Sequence, residues 1–168
     1  AITAAETGHL VLSTLHTLDA TETVNRIIAV FPPHQQKQIR LQLAGILKAV
    51  ISMRLIPRAD GHGRLPAAEV MITTPFIRDC IINKDKTKLI HEAIAAGVSQ
   101  YGMQTFDQSI FNLHKQNLIT YDEALRHASN PDELKLRIQG IQSTSDLAQE
   151  DTEKSMTNLM DDGGVGGS

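Results

Sequence analysis

Residues 4–17 read Ala-Ala-Glu-Thr-Gly-His-Leu-Val-Leu-Ser-Thr-Leu-His-Thr, and the interpretation of the whole chain starts from them. Within this stretch, residues 10–15 form a nearly unbroken apolar run, which is typical of a strand buried on both faces of a parallel sheet. His9 and His16 bracket the run, together with several hydroxyl side chains. The stretch therefore predicts a central strand of an α/β protein, with polar residues at both ends.

A helix, a longer helix and a β-hairpin are predicted next. Asp19 followed by Glu22 resembles a helix start. Residues 35–53 carry an apolar stripe at helical spacing, with Lys37, Arg40 and Lys48 expected to face water. Residues 54–57 and 65–72 flank a glycine-containing turn, Asp60-Gly-His-Gly63, which predicts two antiparallel strands.

After residue 72 the local signals are those of short helices. The residues predicted to begin them are Thr74, Asn83, Thr105, Thr120 and Asn130. We therefore expect three parts: an α/β part over 1–74, a helical subdomain over 75–142, and a flexible tail over 143–168. The tail is acidic and ends Gly-Gly-Val-Gly-Gly-Ser, a composition that favours disorder.

The composition excludes several classes of protein. The single cysteine, Cys80, excludes an internal disulfide, and the formal net charge of -3 gives no bias toward polyanions. Residues 10–15 are too few to cross a bilayer, so we expect no integral membrane segment. With aromatic residues at 4%, the chain lacks the stacking platform of a single-strand nucleic-acid binder, and no nucleic-acid partner is expected.

The two histidines admit more than one interpretation. Because they are seven residues apart, a continuous strand would point them to opposite faces, so we expect no shared metal ion. At the carboxyl end of a parallel strand, Thr14, His16 and Thr17 would lie where ligands bind, and His16 could contact a phosphate. The alternative is that both histidines only satisfy backbone groups at the strand ends.

Residues 4–17 closely resemble the histidine box of the secretion ATPases that power type IV pili and type II secretion. The resemblance continues through Arg26-Ile-Ile and Ile39-Arg-Leu-Gln-Leu43. Within this superfamily, residues 69–78 and 101–108 are similar to the PilT-type retraction branch. The resemblance implies a partial RecA-like nucleotide-binding core followed by helices.

Roles for individual residues follow from the resemblance. It implies that His9 and His16 position or sense the γ-phosphate of ATP. The residues expected to assist them are Glu6, Gly8, Thr14 and Thr17. Residues 76–81 take the place of a retraction motif, Ala-Ile-Arg-Asn-Leu-Ile, which forms a surface needed for retraction rather than hydrolysis. The residues assigned to that surface are Phe76, Ile77, Arg78, Asp79 and Ile81, of which Phe76 and Asp79 depart from the motif, as does Cys80.

For the whole protein, the resemblance implies a homo-hexameric ATPase that uses ATP and Mg²⁺, lies in the cytoplasm at the inner membrane beneath the pilus, and contacts a pilus platform protein. The 168 residues contain no Gly-x-x-x-x-Gly-Lys-Ser/Thr string, the loop that surrounds phosphates with backbone amides. We therefore expect this chain by itself to bind no nucleotide and to be inactive, with the Walker A and Walker B motifs upstream. Two alternatives are an assembly or export ATPase of the same superfamily and a non-catalytic helical interaction module.

Overall fold

The computed structural model describes residues 1–140, which divide into two compact units at Ser129 and Asn130. The predicted tail, 143–168, lies outside the described residues. The first unit contains a helix α1 (Ile2–Glu6), two helices α2 (Ala20–Ala29) and α3 (Gln36–Ile46), and a hairpin of β1 (Ala49–Pro57) and β2 (Arg64–Ile72). Helices follow the hairpin, as predicted: α4 (Pro75–Ile82), a 3-10 helix (Lys84–Leu89), α5 (Ile90–Ala96), α6 (Val98–Tyr101), α7 (Phe106–Lys115) and α8 (Tyr121–His127).

The predicted central strand over residues 10–15 is wrong for this structure. These residues form neither helix nor strand, and Leu10 and Leu12 are 84% and 87% exposed. A strand requires a neighbour whose backbone groups complete its hydrogen bonds. Within residues 1–140, the one sheet is the antiparallel pair β1–β2, and it does not include this segment. The apolar run therefore has no regular structure and no ladder partner.

The second predicted helix is shorter than its apolar stripe suggested. Helix α3 ends at Ile46, and the strand β1 begins at Ala49, so the prediction of a helix through residue 53 is wrong. Leu47 already has extended backbone angles, φ -62° and ψ 127°. The β-branched pair Val50 and Ile51 lies in the hairpin, where such side chains pack well on a pleated surface.

The predicted hairpin is confirmed, and its register separates an inner face from an outer face. Ser52 lies opposite Glu69 across the two strands, and Arg54 lies opposite Ala67. Alternate residues of β2, namely Ala67, Glu69 and Met71, are buried, whereas Ile51, Met53 and Leu55 of β1 are more than half exposed. One face of the hairpin thus packs on the core, while Ile51, Met53 and Leu55 of β1 face outward.

The main core lies between α2, α3, α4, α5 and the inner face of β2. Its fully buried members are Ala20, Val24, Met71, Ile77, Cys80, Ile81, Ile90 and Ile94. Burial raises the pKa of the Cys80 thiol. This side chain is a small apolar core residue in the fold.

Four of the predicted helix starts have the expected side-chain caps. Thr74 and Thr120 each accept a hydrogen bond from a backbone N–H three residues later, and Thr105 forms a full capping box with Gln108. Asn130 caps the helix of the second unit, α9 (Pro131–Ile138). The fifth prediction is wrong: the Asn83 side chain donates to Asp79 of the preceding helix, and a 3-10 helix follows it. None of the helices in residues 1–140 has the length and apolarity needed to cross a membrane.

Candidate functional site

His9 lies three residues after the end of α1, and hydrogen bonds with neighbouring residues stabilise the turn that leads to it. The Thr7 hydroxyl donates to the carbonyl oxygen of Ala4 at 2.9 Å, and His9 Nδ1 lies 3.0 Å from the Thr7 oxygen. Because the only hydroxyl hydrogen of Thr7 is directed to Ala4, we assign the hydrogen between Thr7 and His9 to the ring Nδ1. Gly8 provides the left-handed backbone angle of this turn, φ +92°. His9 Nε2 is then the ring nitrogen left for a ligand, on an exposed side chain.

His16 and Thr14 lie in the irregular segment that follows, and both are exposed. Glu6, the last residue of α1, is exposed as well. An exposed imidazole can donate a hydrogen bond to an anion through either nitrogen when it is protonated. In this part of the chain the predicted nucleotide-contacting side chains are accessible, as such a role requires.

Thr17 differs from the other predicted contacts because its hydroxyl is engaged within the fold. Its oxygen lies 2.6 Å from the hydroxyl of Thr23, which donates to the carbonyl oxygen of Asp19 at 2.8 Å. Thr17 is therefore the donor in the Thr17–Thr23 hydrogen bond. This hydrogen bond joins the segment before α2 to the first turn of that helix. The Thr17 hydroxyl hydrogen is therefore not free to bind a phosphate.

Three carboxylate hydrogen bonds complete the junction between this segment and α2. Asp19 Oδ1 accepts from the backbone N–H of Glu22, and Glu22 Oε2 accepts from the N–H of Leu18, both at 2.7 Å. The N–H of Ala20, the first residue of α2, donates to Glu69 Oε1 at 2.8 Å. The first N–H groups of a helix have no acceptor within the helix. Here side-chain carboxylate oxygens accept their hydrogen bonds.

Glu69 is a buried residue for which the sequence alone predicted no individual role. It is 2% exposed on the inner face of the hairpin, and its second oxygen lies 3.9 Å from Nδ1 of the exposed His91. Burial raises the pKa of this carboxyl, while the Ala20 hydrogen bond lowers it. Strand alternation was the available signal, because Glu69 shares its face with Ala67 and Met71.

Arg40 was expected to face water, and that expectation is wrong because the residue is 8% exposed. Its Nη1 donates to the carbonyl oxygen of Ile81 at 2.8 Å and to the hydroxyl of Thr87 at 3.2 Å. Burial lowers the pKa of the guanidinium. Arg40 thus joins α3 to the last turn of α4, where a positive charge also complements the helix dipole.

The predicted retraction surface is divided by the fold into exposed and buried residues. Phe76 is 51% exposed and Arg78 is exposed on α4. Asp79 is partly exposed and binds Lys86 Nζ at 2.6 Å. Ile77 and Ile81 are fully buried in the core, as is Cys80, so these residues do not belong to an exposed surface. The interpretation of residues 76–81 as a surface therefore applies to the exposed Phe76 and Arg78 and to the partly exposed Asp79.

A shallow groove of about 520 Å³ lies beside Phe76. It is lined mainly by carbon atoms, with Ala96, Tyr101 and Met103 among its walls. Tyr101 is 43% exposed, so two aromatic rings border one opening. Exposed aromatic residues of this kind are common at protein contacts.

The described residues offer no metal centre, since no three histidine, cysteine or acidic side chains come together in residues 1–140. The chemistry available at the irregular segment, residues 9–17, is hydrogen bonding to an anion by imidazole and hydroxyl groups. One end of this segment is bound through Thr7 and His9, and the other through Thr17 to Thr23 of α2.

The family model for Type II/IV secretion system protein matches residues 1–142, and the chain belongs to this family. The relatives include the type IV pilus ATPase PilU of Pseudomonas aeruginosa, 37% identical over 99% of this chain and 43% of that protein. The type IV pilus retraction ATPase PilT of the same organism is 43% identical over 79% of the chain and 38% of its own length. A twitching motility protein of Neisseria gonorrhoeae is 42% identical over 80% of the chain and 35% of its own length.

Solved structures agree with this assignment. The crystal structure of the pilus retraction motor PilT with bound ADP has a TM-score of 0.69 and 40% identity, covering 80% of this chain and 36% of that one. The ATPase DotB of Legionella pneumophila has a TM-score of 0.61 at 22% identity, over 73% of this chain and 32% of that one, and shows the fold alone. The chain spans less than half the length of the curated relatives it matches.

Proposed function

We propose that this chain is part of an ATP-hydrolysing motor that retracts type IV pili, a homo-hexamer in its complete form. The observation that carries the proposal is the similarity to PilT, at 40% identity and a TM-score of 0.69 over 80% of the chain. Relatives named for pilus ATPase activity and twitching motility support retraction over assembly or export. The family membership also argues against a non-catalytic helical module.

In this proposal His9 and His16 contact the γ-phosphate from one side of a nucleotide held mainly by other residues. Support comes from their exposure and from the hydrogen bonds that hold the segment at both ends. A phosphate bound between two domains makes contacts in the closed state that are absent in the open state, and so favours closure. Hydrolysis removes those contacts. Glu6, Gly8, Thr14 and Thr17 shape the segment.

The phosphate-surrounding loop of the motor is not among these 168 residues, since the sequence contains no Gly-x-x-x-x-Gly-Lys-Ser/Thr string. We therefore propose that this chain alone does not hydrolyse ATP. We assign no residue of the chain to Mg²⁺, because residues 1–140 bring no suitable acidic cluster together. The ion would stabilise the charge of the phosphates when nucleotide is bound.

The partner surface of the motor is proposed to include Phe76, Arg78 and the neighbouring groove. An exposed arginine beside exposed aromatic rings has the composition of a protein contact. A pilus platform protein is the proposed partner, which would hold the motor in the cytoplasm against the inner membrane. In this proposal, the surface around Phe76 and Arg78 couples hydrolysis to movement, whereas His9 and His16 contact the nucleotide.

The proposed role of His16 is tested with His16→Ala in the full-length protein. We expect ATP hydrolysis to fall by about 10²-fold or more, because one preorganised contact to the transferred phosphoryl group is lost. His34→Ala is the matched control, since His34 is an exposed histidine between α2 and α3 and should leave hydrolysis unchanged. Steady-state phosphate release measures both variants. Wild-type hydrolysis in the His16 variant would remove the assignment of this residue.

A further inference from the structure

Glu69 is a carboxylic acid held in the apolar core with no role in the proposed chemistry. Its side chain is 3% exposed and lies between the fully buried Ala67 and Met71 on the inner face of β2. Removing a carboxylate from water is costly unless hydrogen bonds replace its hydration. The contacts of Glu69 therefore indicate what this residue contributes to the fold.

The hydrogen bond of Glu69 joins two elements that are far apart in sequence. Its Oε1 accepts from the N–H of Ala20 at 2.8 Å, although the residues are separated by 49 positions. Ala20 is fully buried and is the first residue of α2. Asp19 Oδ1 already accepts from the N–H of Glu22, so Glu69 accepts from a different N–H of the same helix end.

The position of Ala20 along the chain gives this contact its significance. His16 lies four residues before Ala20, in a segment without regular structure, and Thr17 is held through Thr23 on α2. Because residues 16–19 form no ladder or helix of their own, their path depends on where α2 begins. The N–H at the start of α2 donates in turn to Glu69 on β2.

We propose that Glu69 is a positioning residue for His16, fixing the start of α2 against β2 so that the imidazole meets the γ-phosphate. The inference rests on the proposed function of the histidine segment and adds to it a residue on a distant strand. A misplacement of about 1 Å in a catalytic group can cost about 10²-fold in rate, so a single buried hydrogen bond is sufficient to matter.

The charged groups around Glu69 show which property of the side chain is used. Asp19, the residue before α2, repels the Glu69 carboxylate, whereas His91 on α5 and Arg54 on β1 attract it. A carboxyl oxygen accepts the Ala20 hydrogen bond whether the group is ionised or protonated. Positioning therefore requires the acceptor and not the charge, and an amide oxygen in the same place should replace it.

The experiment compares Glu69→Ala with Glu69→Gln in the full-length motor. We expect Glu69→Ala to lower kcat for ATP hydrolysis by between about tenfold and 100-fold, with KM for ATP changed less than about threefold. Glu69→Gln should keep kcat within about twofold of wild type, because its amide oxygen can accept from Ala20. Ser52→Ala is the matched control: Ser52 is a buried polar residue directly opposite Glu69, without this contact.

Hydrogen exchange of the peptide spanning residues 17–24 gives a second readout that does not depend on catalysis. Exchange should accelerate in Glu69→Ala and stay at the wild-type rate in Glu69→Gln and Ser52→Ala. Unchanged kcat in Glu69→Ala, or equal losses in the Ala and Gln variants, would overturn the proposal. A wild-type motor without ATPase activity would refute the proposed function instead, while accelerated exchange in Glu69→Ala would still show that the residue holds α2.

Discussion

Among the charged residues in the part of the chain that the structure describes, Glu69 and Arg40 are buried, and each one binds an element distant in sequence. Glu69 accepts from the backbone of α2, and Arg40 donates to the end of α4. Buried polar groups that are satisfied in this way determine a single arrangement of the elements they join. Both residues lie in stretches that carry the family resemblance, but their individual contacts became evident only from their burial in the fold.

At the residue scale, Glu69 predicts a pH dependence of stability. Burial raises its pKa, so the native state binds the proton more tightly than the unfolded chain does. The stability gained in this way is fully present below the unfolded-state pKa and is lost as the pH rises through the native pKa. Glu69→Gln does not titrate. The melting temperature of the variant relative to wild type should therefore increase from about pH 4 to about pH 7.

Thermal unfolding of the full-length protein across this pH range measures the effect. Glu92→Gln is the control, because Glu92 is exposed on α5 and its variant should follow the wild-type curve. The groups facing Glu69 are Asp19, His91 and Arg54, and all of them are kept in both variants. A difference between Glu69→Gln and wild type that stays constant with pH would contradict the prediction.

At the scale of the elements, side chains from one helix complete the ends of another. Arg40 of α3 binds the carbonyl oxygen of Ile81, and the Thr87 hydroxyl in the 3-10 helix donates to the carbonyl oxygen of Cys80 at 3.2 Å. The last carbonyl groups of a helix have no partner within it, so these contacts satisfy the end of α4. The exposed Phe76 and Arg78 thus lie on a helix whose carboxyl end is stabilised by hydrogen bonds from Arg40 and Thr87.

Arg40→Met should destabilise the fold by about 2–4 kcal/mol, because a buried carbonyl oxygen and a hydroxyl lose their donor while the apolar stem is kept. Lys37→Met is the matched control on α3, exposed and expected to change the free energy of unfolding by less than about 0.5 kcal/mol. Hydrogen exchange of α4 and the 3-10 helix, with thermal unfolding, measures both variants. Equal effects of the two substitutions would show that the Arg40 contacts contribute nothing.

At the scale of the whole molecule, the proposed nucleotide contacts and the proposed partner surface lie on different elements. His9 and His16 lie in the irregular segment, residues 9–17, before α2. Phe76 and Arg78 lie on α4, after the hairpin. The core between these elements is continuous, with residues of α2, α3 and α4 in one cluster. In the proposed motor, movement of the nucleotide contacts would be transmitted to the partner surface through this shared core.

Arg78→Ala in the full-length protein should therefore separate the two functions. We expect ATP hydrolysis within about twofold of wild type, since the residue lies outside the proposed nucleotide contacts, and twitching motility reduced by about tenfold or more. Arg64→Ala is the control, an exposed arginine at the start of β2. Phosphate release and colony spreading are measured for each variant. A parallel loss of hydrolysis and motility in Arg78→Ala would place the residue in the nucleotide site.

Local features and family membership could be predicted from the amino-acid sequence alone. The caps Thr74, Thr105 and Thr120 were predictable because each side chain binds a backbone N–H only three residues away. The hairpin was predictable because two glycines in a four-residue turn permit the reversal, and Gly61 and Gly63 do take positive φ values of 73° and 82°. The resemblance of residues 4–17 identified the secretion ATPase family.

Features that depend on distant partners became evident only in the folded chain. An apolar run such as residues 10–15 becomes a strand only where another strand supplies its hydrogen bonds, and none in residues 1–140 does so. The burial of Arg40 depends on acceptors about 40 residues further along the chain, as that of Glu69 depends on a donor 49 residues back. Periodicity within one element carries no information about partners so far away, and for that reason the residue proposed to position His16 emerged only from the fold.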